Sequence, residues 1–282
     1  MLNLTGYPSN VFTSLASLLC LLAATVRANG QLVAYDGFNY TAGTLNADSG
    51  GGSIGWGGAW SGANSVKTGS LTFPDLLASG NKVETVGNGV GSFRTLSATY
   101  GGLGQTLFFS FTARVDPGTG SQPGATYAGV SLFNSTEQFF MGIPSSSTNW
   151  GEVSRPGSGP IADSTTSASS TTEFLVYELV YSLTGTVSES MFVNPTPGAA
   201  LPAIPSAYLT NQPSFTFNQV RVQSGGTLDV DIDELRLGKT YPSVSPPIGA
   251  SEPSGLMIAA ALTLGCCGIA LRRKMRIGIH AH

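Results

Sequence analysis

Residues 106–115 read Thr106-Leu107-Phe108-Phe109-Ser110-Phe111-Thr112-Ala113-Arg114-Val115. Leu107, Phe109, Phe111, Ala113 and Val115 take every second position, and Ser110, Thr112 and Arg114 fall between them. Successive side chains of an extended strand point to opposite faces, so this is the pattern of a strand with one face buried and one wet. Glu173 to Leu183 repeats it, with Leu175, Tyr177, Leu179, Tyr181 and Leu183 on one face and Glu178 and Ser182 on the other. Shorter runs of this kind cover 82–86, 91–96, 127–133, 138–143, 190–193, 215–222 and 228–237. Their punctuation is rich in Pro and Gly, as in Asp116-Pro117-Gly118 and Asn194-Pro195-Thr196-Pro197-Gly198. No helical period competes with these runs. The expectation is an all-β fold of two antiparallel sheets packed face to face.

The stretches between the runs carry their own expectations. The Ser/Thr-rich segment 154–172, with Pro156 and Pro160, reads as a mobile loop, and the Pro-rich segment 194–214 as an extended connection. Tyr241 to Gly255 carries Pro242, Pro246, Pro247 and Pro253 and reads as a stiff spacer. Residues 31–250, about 220 in number, suffice for one all-β domain with a sizeable core. They hold eight Lys and Arg against fifteen Asp and Glu, so the near-neutral whole chain contains an acidic domain, and nucleic acid is excluded as a partner. Cys20, Cys266 and Cys267 all lie outside this region, which therefore has no disulfide. The two histidines, His280 and His282, lie outside it too. A Ser-His-Asp triad, a Cys-His pair and a histidine-ligated zinc are excluded from the domain.

Both ends of the chain read as targeting segments. Leu15 to Val26 is an apolar run of signal-peptide length, and Val26-Arg27-Ala28 or Ala28-Asn29-Gly30 offers small residues for cleavage, although no Lys or Arg precedes Arg27. At the other end Ser251-Glu252-Pro253 precedes eighteen uncharged residues, Ser254 to Leu271, and then Arg272, Arg273 and Lys274. Eighteen helical residues span about 27 Å, close to the roughly 30 Å of a bilayer core, and the basic cluster favours the cytoplasmic side. This ending resembles the PEP-CTERM sorting signal, with Ser251 where that family has its first Pro. The resemblance implies an exosortase-type processing enzyme as partner, a transient inner-membrane stage, and delivery to the cell envelope, surface or extracellular matrix. The alternative is a plain single-pass anchor. The expected organisation is a signal peptide over 1–30, a β-sandwich over 31–241, the spacer with its tripeptide over 242–253, a transmembrane helix over 254–271 and a basic tail over 272–282.

Within the domain, Tyr35-Asp36-Gly37-Phe38-Asn39-Tyr40, Gly55-Trp56-Gly57-Gly58-Ala59-Trp60-Ser61-Gly62, Phe192-Val193-Asn194-Pro195-Thr196 and Asp231-Ile232-Asp233-Glu234-Leu235-Arg236-Leu237-Gly238 resemble the concanavalin A-like, LamG-type jelly rolls. The resemblance implies a two-sheet jelly-roll sandwich whose first and last strands pair, bringing Tyr35 to Phe38 beside Ile232 to Leu237.

Three groups of residues are candidates for function. Asp229, Asp231 and Asp233 alternate with Val230 and Ile232, which places three acids on one strand face. They are read either as a solvated face or as a Ca²⁺ site, and the order Ile232-Asp233-Glu234-Leu235 suggests a β-bulge where the inward register flips. Glycosidases of the resembled fold carry Glu-x-Asp-x-Glu, and Asp stands here in place of both Glu, so a hydrolase or lyase is the minor alternative. Trp56, Trp60 and Trp150, helped by Tyr100 or Tyr127, are read either as a sugar-stacking platform or as core and rim packing. Ser251, Glu252, Pro253, Arg272, Arg273 and Lys274 are the sorting residues. The functional expectation is an exported, non-enzymatic surface or matrix protein with no cofactor, and the alternative is a Ca²⁺-assisted module for extracellular polysaccharide.

Overall fold

The computed structural model describes residues 32–250, except 51, 86, 88, 90, 117–125, 156 and 158. The expected signal peptide, membrane span, sorting tripeptide and basic tail lie outside the described residues. Among the described residues, no helix is long and apolar enough to cross a membrane. The strands are β1 (Leu32–Asp36), β2 (Gly43–Thr44), β3 (Ser65–Lys67), β4 (Lys82–Glu84), β5 (Ser92–Tyr100), β6 (Thr106–Val115), β7 (Ala128–Asn134) and β8 (Thr136–Ile143). They continue as β9 (Asn149–Ser154), β10 (Ile161–Ser167), β11 (Glu173–Tyr181), β12 (Thr186–Val193), β13 (Ala207–Pro213), β14 (Phe217–Ser224) and β15 (Val230–Gly238). All described pairings are antiparallel. They build a nine-stranded sheet in the order β13-β12-β11-β6-β15-β4-β3-β2, with β1 also on β15, and a six-stranded sheet in the order β10-β9-β8-β7-β14-β5. This is the two-sheet sandwich expected of a jelly roll.

The alternating residues form the core between the sheets. β6 contributes Leu107, Phe109, Phe111 and Ala113, and β11 contributes Leu175, Tyr177, Leu179 and Tyr181. Phe111 stacks on Tyr177 at 5.9 Å, and Tyr177 meets Phe139 of the opposite sheet edge to face at 6.1 Å. Leu183, counted with the inward set, lies past the end of β11 and is 81% exposed.

The second face of β6 and β11 departs from the half-buried expectation. Phe108, Phe174, Val176 and Phe192 form a second apolar layer with Leu76, Tyr241 and Val244. What covers them includes the segment read as a spacer. A helical turn, Tyr241–Val244, docks on the sheet; Ser110 Oγ donates to Val244 O at 2.7 Å, Leu77 N donates to Pro246 O and Ile248 N donates to Asp75 O. Up to Ile248 the chain belongs to the domain, because Tyr241 and Val244 bury their side chains where the sheet would otherwise expose Phe108 and Phe174.

The expected pairing of first and last strands is present, with Tyr35 opposite Arg236 and Asp36 opposite Leu235. The bulge is present too. The register of β15 on β6 shifts between Asp233 and Arg236, with Glu234 at φ 58°, so Val230 and Ile232 point inward before it and Leu235 and Leu237 after it. The loop expected over 154–172 is in part a strand, since β10 pairs with β9 at the edge of the smaller sheet. The connection over 194–214 contains β13, the edge of the larger one.

Candidate functional site

The outer face of the six-stranded sheet carries a groove of about 630 Å³. In β14, Val220 and Val222 enter the core, which sends Arg221 and Gln223 outward. Simple alternation in β8 would turn Glu137 inward with Phe139. A register shift between Leu132 and Phe133 in the β7–β8 pairing brings it to the outer face instead. There Glu137 Oε1 accepts hydrogen bonds from Arg221 Nη2 at 2.9 Å, from Gln223 Nε2 at 2.8 Å and from Ser131 Oγ. The Arg221 guanidinium lies over the Phe133 ring at 4.5 Å and the Phe93 ring at 5.5 Å. Burial lowers Arg221 from its ordinary value and the Glu137 charge opposes that shift; the pairing of opposite charges leaves the groove floor close to neutral. Arg221 Nε and Gln223 Oε1 have no hydrogen-bond partner among the described residues. Apolar surface completes the lining: Tyr127, edge to face on Phe140 at 6.2 Å, together with Val153 and Ile161.

Asp231 and Asp233 share the outer side of β15 but not as a solvated face, and Asp229, just before the strand, is half-buried. Asp231 and Asp233 are both 0% exposed. Asp231 Oδ2 accepts from Lys82 Nζ at 2.7 Å and Arg114 Nε at 2.9 Å. Asp233 is capped by Ser70 Oγ and by Leu71 N at 2.9 Å, and burial, then the charge of Glu234, hold its carboxyl well above the usual range. The segment around Ser70 and the side chains of Lys82 and Arg114 cover the face that the sequence left open. The acids do not converge as a trio either. Asp231 instead groups with Glu84 and Asp116, whose carboxylate oxygens lie within 4.8 Å of one another and of its own. Three carboxylates are a donor set that suits a hard cation such as Ca²⁺. Burial, and then a hydrogen bond shared with Asp116, hold Glu84 above its ordinary value, while Lys67 Nζ sits 2.9 Å from Glu84 Oε1.

The tryptophans divide differently from a platform. Trp60 is 1% and Trp150 0% exposed, both in the core, so neither offers a ring face to a sugar. Trp56 is partly buried, 5.9 Å from Trp60, with its Nε1 donating to Tyr35 O at 2.8 Å. The glycines explain the packing. At Gly55 (φ 77°) a Cβ would stand 2.0 Å from Val33 O, and at Gly62 (φ 134°) 2.4 Å from Gly91 O. The segment therefore lies flat between the sheets' edges, bridging to β1 at Ile54 and to β5 at Trp56 and Ser61. Of the aromatic helpers, Tyr127 is the one that lines the groove. The sorting residues Ser251, Glu252, Pro253, Arg272, Arg273 and Lys274 lie outside the described residues. Arg221, Gln223 and Glu137 were not singled out from sequence. The alternation Val220-Arg221-Val222-Gln223 was the available signal for the first two.

No family model matches the chain, and no curated protein matches it. Solved structures align with it at low similarity. An endo-β-1,4-glucuronan lyase from the fungus Trichoderma reesei aligns at TM-score 0.48 and 12% identity over 74% of this chain and 98% of its own. The botulinum neurotoxin serotype D binding domain aligns at TM-score 0.46 and 8% identity over 75% of this chain. A botulinum neurotoxin type C structure, described as depending on two ganglioside molecules for cell entry, aligns at TM-score 0.45 and 11% identity over 76% of this chain. The chain spans 49% of each toxin chain. Likenesses of this size carry no argument, and the reading of the groove rests on its own chemistry.

Proposed function

We propose that this is an exported carbohydrate-binding β-sandwich, sorted to the cell envelope or its surrounding matrix by the C-terminal segment, and that the groove on the six-stranded sheet receives a hydroxyl-rich glycan. The observation that carries this reading is the pairing, in one groove, of apolar side chains with the partly exposed Arg221–Glu137 pair. Tyr127, Val153 and Ile161 suit the C–H faces of sugar rings, while the partly exposed Arg221 and Glu137 present charged hydrogen-bonding groups to sugar hydroxyls. The Arg221–Glu137 pair keeps the floor near neutral, which favours a neutral glycan over a polyanion. Hydrolysis by paired carboxylates needs two acids flanking the scissile bond, and Glu137 is the carboxylate among the described lining residues, so binding without turnover is the reading.

Binding of neutral oligosaccharides to the purified chain, measured on an array and by calorimetry, tests the groove. Tyr127→Ala and Arg221→Met should each weaken binding about tenfold or more, in keeping with a lost stacking face or hydrogen bond. Wild-type affinity in both variants would place the ligand elsewhere, and release of reducing ends or unsaturated products would make the protein an enzyme. Export and sorting have their own test: mature protein lacking everything after Pro253, and retention of full-length chain when Glu252 and Pro253 become Ala. His282 still attached in the surface fraction would reduce the tail to an anchor.

A further inference from the structure

Two carboxyl groups from opposite sheets are buried inside the sandwich. β9 turns Trp150, Glu152 and Ser154 toward the interior, and β12 turns Val187, Glu189 and Met191 toward it from the other side. Ser154 Oγ donates to Glu189 Oε1 at 3.0 Å, a direct hydrogen bond between the six-stranded and the nine-stranded sheet. Glu152 and Glu189 are both 0% exposed. Neither oxygen of Glu152, nor Oε2 of Glu189, nor Tyr181 OH, nor Trp150 Nε1 has a hydrogen-bond partner among the described residues. This is the edge where β9 and β10 pack against β12 and β13.

The groups facing the pair come from every element at this edge. Tyr177 and Tyr181 of β11 stand beside Glu152 and Glu189 respectively, Tyr177 OH donating to Gly151 O at 3.2 Å. Arg155, just past β9, is the cation that reaches Glu189, and its Nε is buried without a partner. Asp163 of β10 lies beside Gly151, which points away from the interior, and β13 carries no charged residue. One cation at the rim does not neutralise two interior carboxylates. An ionised pair here is costly, whereas protonated acids carry no charge into the apolar interior.

We propose that Glu152 and Glu189 form a proton-held clasp between the two sheets: while both carry a proton the β9–β10 edge stays closed on β12–β13, and their ionisation opens it. Burial, partly offset by Ser154 and Arg155, raises Glu189 to about 8, and burial followed by the charge of Glu189 holds Glu152 well above the carboxylate range. A carboxyl raised in the closed state stabilises it fully below its free value of 4.5, and that contribution is lost as the pH rises through the raised value. Closure therefore weakens from about pH 5 to pH 8 and beyond. The clasp stands apart from any ligand, but β9 also sends Val153 into the groove, so opening deforms that surface too.

Hydrogen exchange on the full chain, expressed as protection factors corrected for intrinsic exchange, tests this without a ligand. Between pH 5.5 and 8, protection of amides in 149–154 and 186–193 should fall about tenfold per pH unit for each carboxyl that ionises only on opening, while the central strands β6 and β15 hold theirs. Glu152→Gln with Glu189→Gln keeps the shape and the Ser154 bond and should flatten the profile. Glu189→Gln alone should reduce the slope by about one unit and serves if the double variant does not fold. A flat wild-type profile, a slope that survives both variants, or an equal loss in β6 and β15 would each overturn the clasp.

Discussion

The guanidinium of Arg94, on β5 of the six-stranded sheet, is ion-paired with the carboxylate of Asp36, on β1 of the nine-stranded sheet, with 3% and 1% of their side chains exposed. Asp36 also accepts from Trp60 Nε1 at 2.8 Å, Tyr40 OH at 2.9 Å and Phe38 N at 2.9 Å, while Arg94 Nε donates to Gly58 O at 2.8 Å and its guanidinium lies 4.9 Å over Trp56. One buried pair thus ties together the two quoted motifs, Tyr35 to Tyr40 and Gly55 to Gly62, at the edge where the sheets meet. Removing one partner of such a pair leaves the other charge uncompensated, so Asp36→Asn and Arg94→Met should each cost about 3 to 5 kcal/mol. The double variant should cost much less than the two together, and additive losses in urea titrations would show that the residues act independently.

What the sequence revealed follows from which residues face the core. β6 and β11 were legible because their inward sets are wholly apolar. β9 was not, since Trp150 is followed on the same face by Glu152 and Ser154, and an inward acid breaks the alternation that marks a strand. β10 and β13 lie at sheet edges and contribute little to the core, so their polar composition read as loop and linker. The bulge at Glu234 was legible because Ile232 and Leu235 are both apolar at odd separation. The one that turns Glu137 outward was not, because its only trace is the pairing of β8 with β7. A groove built from β8, β9, β10 and β14 needs strands distant in sequence to be adjacent, and alternation within one strand carries no such information.

The two apolar layers separate by mutation. Phe109→Ala and Leu179→Ala remove side chains from between the sheets and should cost about 2 to 5 kcal/mol each. Phe174→Ala acts on the other face of the larger sheet, yet its ring is fully buried under the chain around Phe73 and Tyr241 and should cost about 3 to 5 kcal/mol. Leu183→Ala, at an exposed position, should change stability by no more than about 0.5 kcal/mol. A Phe174→Ala loss below about 1 kcal/mol would mean that the segment 241–248 does not dock in solution.

The ion pair in the groove makes a prediction about ligand charge. Glu137→Gln can keep the bonds from Gln223 and Ser131 while removing the anion that neutralises Arg221. The variant should gain affinity for uronate-bearing oligosaccharides over neutral ones by about tenfold, or about 1.4 kcal/mol, and that gain should shrink as salt is raised. Calorimetry with one neutral and one acidic oligosaccharide at two ionic strengths reads both effects. Unchanged preference would show that Arg221 does not meet the ligand.

The acids around Asp231 make the last prediction, and the argument turns on how they are already neutralised. Glu84, Asp116 and Asp231 bring their oxygens within 4.8 Å, a spacing that a calcium ion could bridge. Lys82 and Arg114 both occupy Asp231 Oδ2, however, and Lys67 occupies Glu84. A cation entering here must compete with three positive charges already paired with these acids, so the ion pairs should hold the site without metal. The melting temperature of the protein should then be the same in EGTA and in millimolar calcium. Asp231→Asn should be destabilising by itself, because Lys82 and Arg114 lose their common buried partner. A calcium-dependent rise in melting temperature that disappears in Asp116→Asn would reverse this reading, since only a ligand bound to the folded state raises stability by mass action.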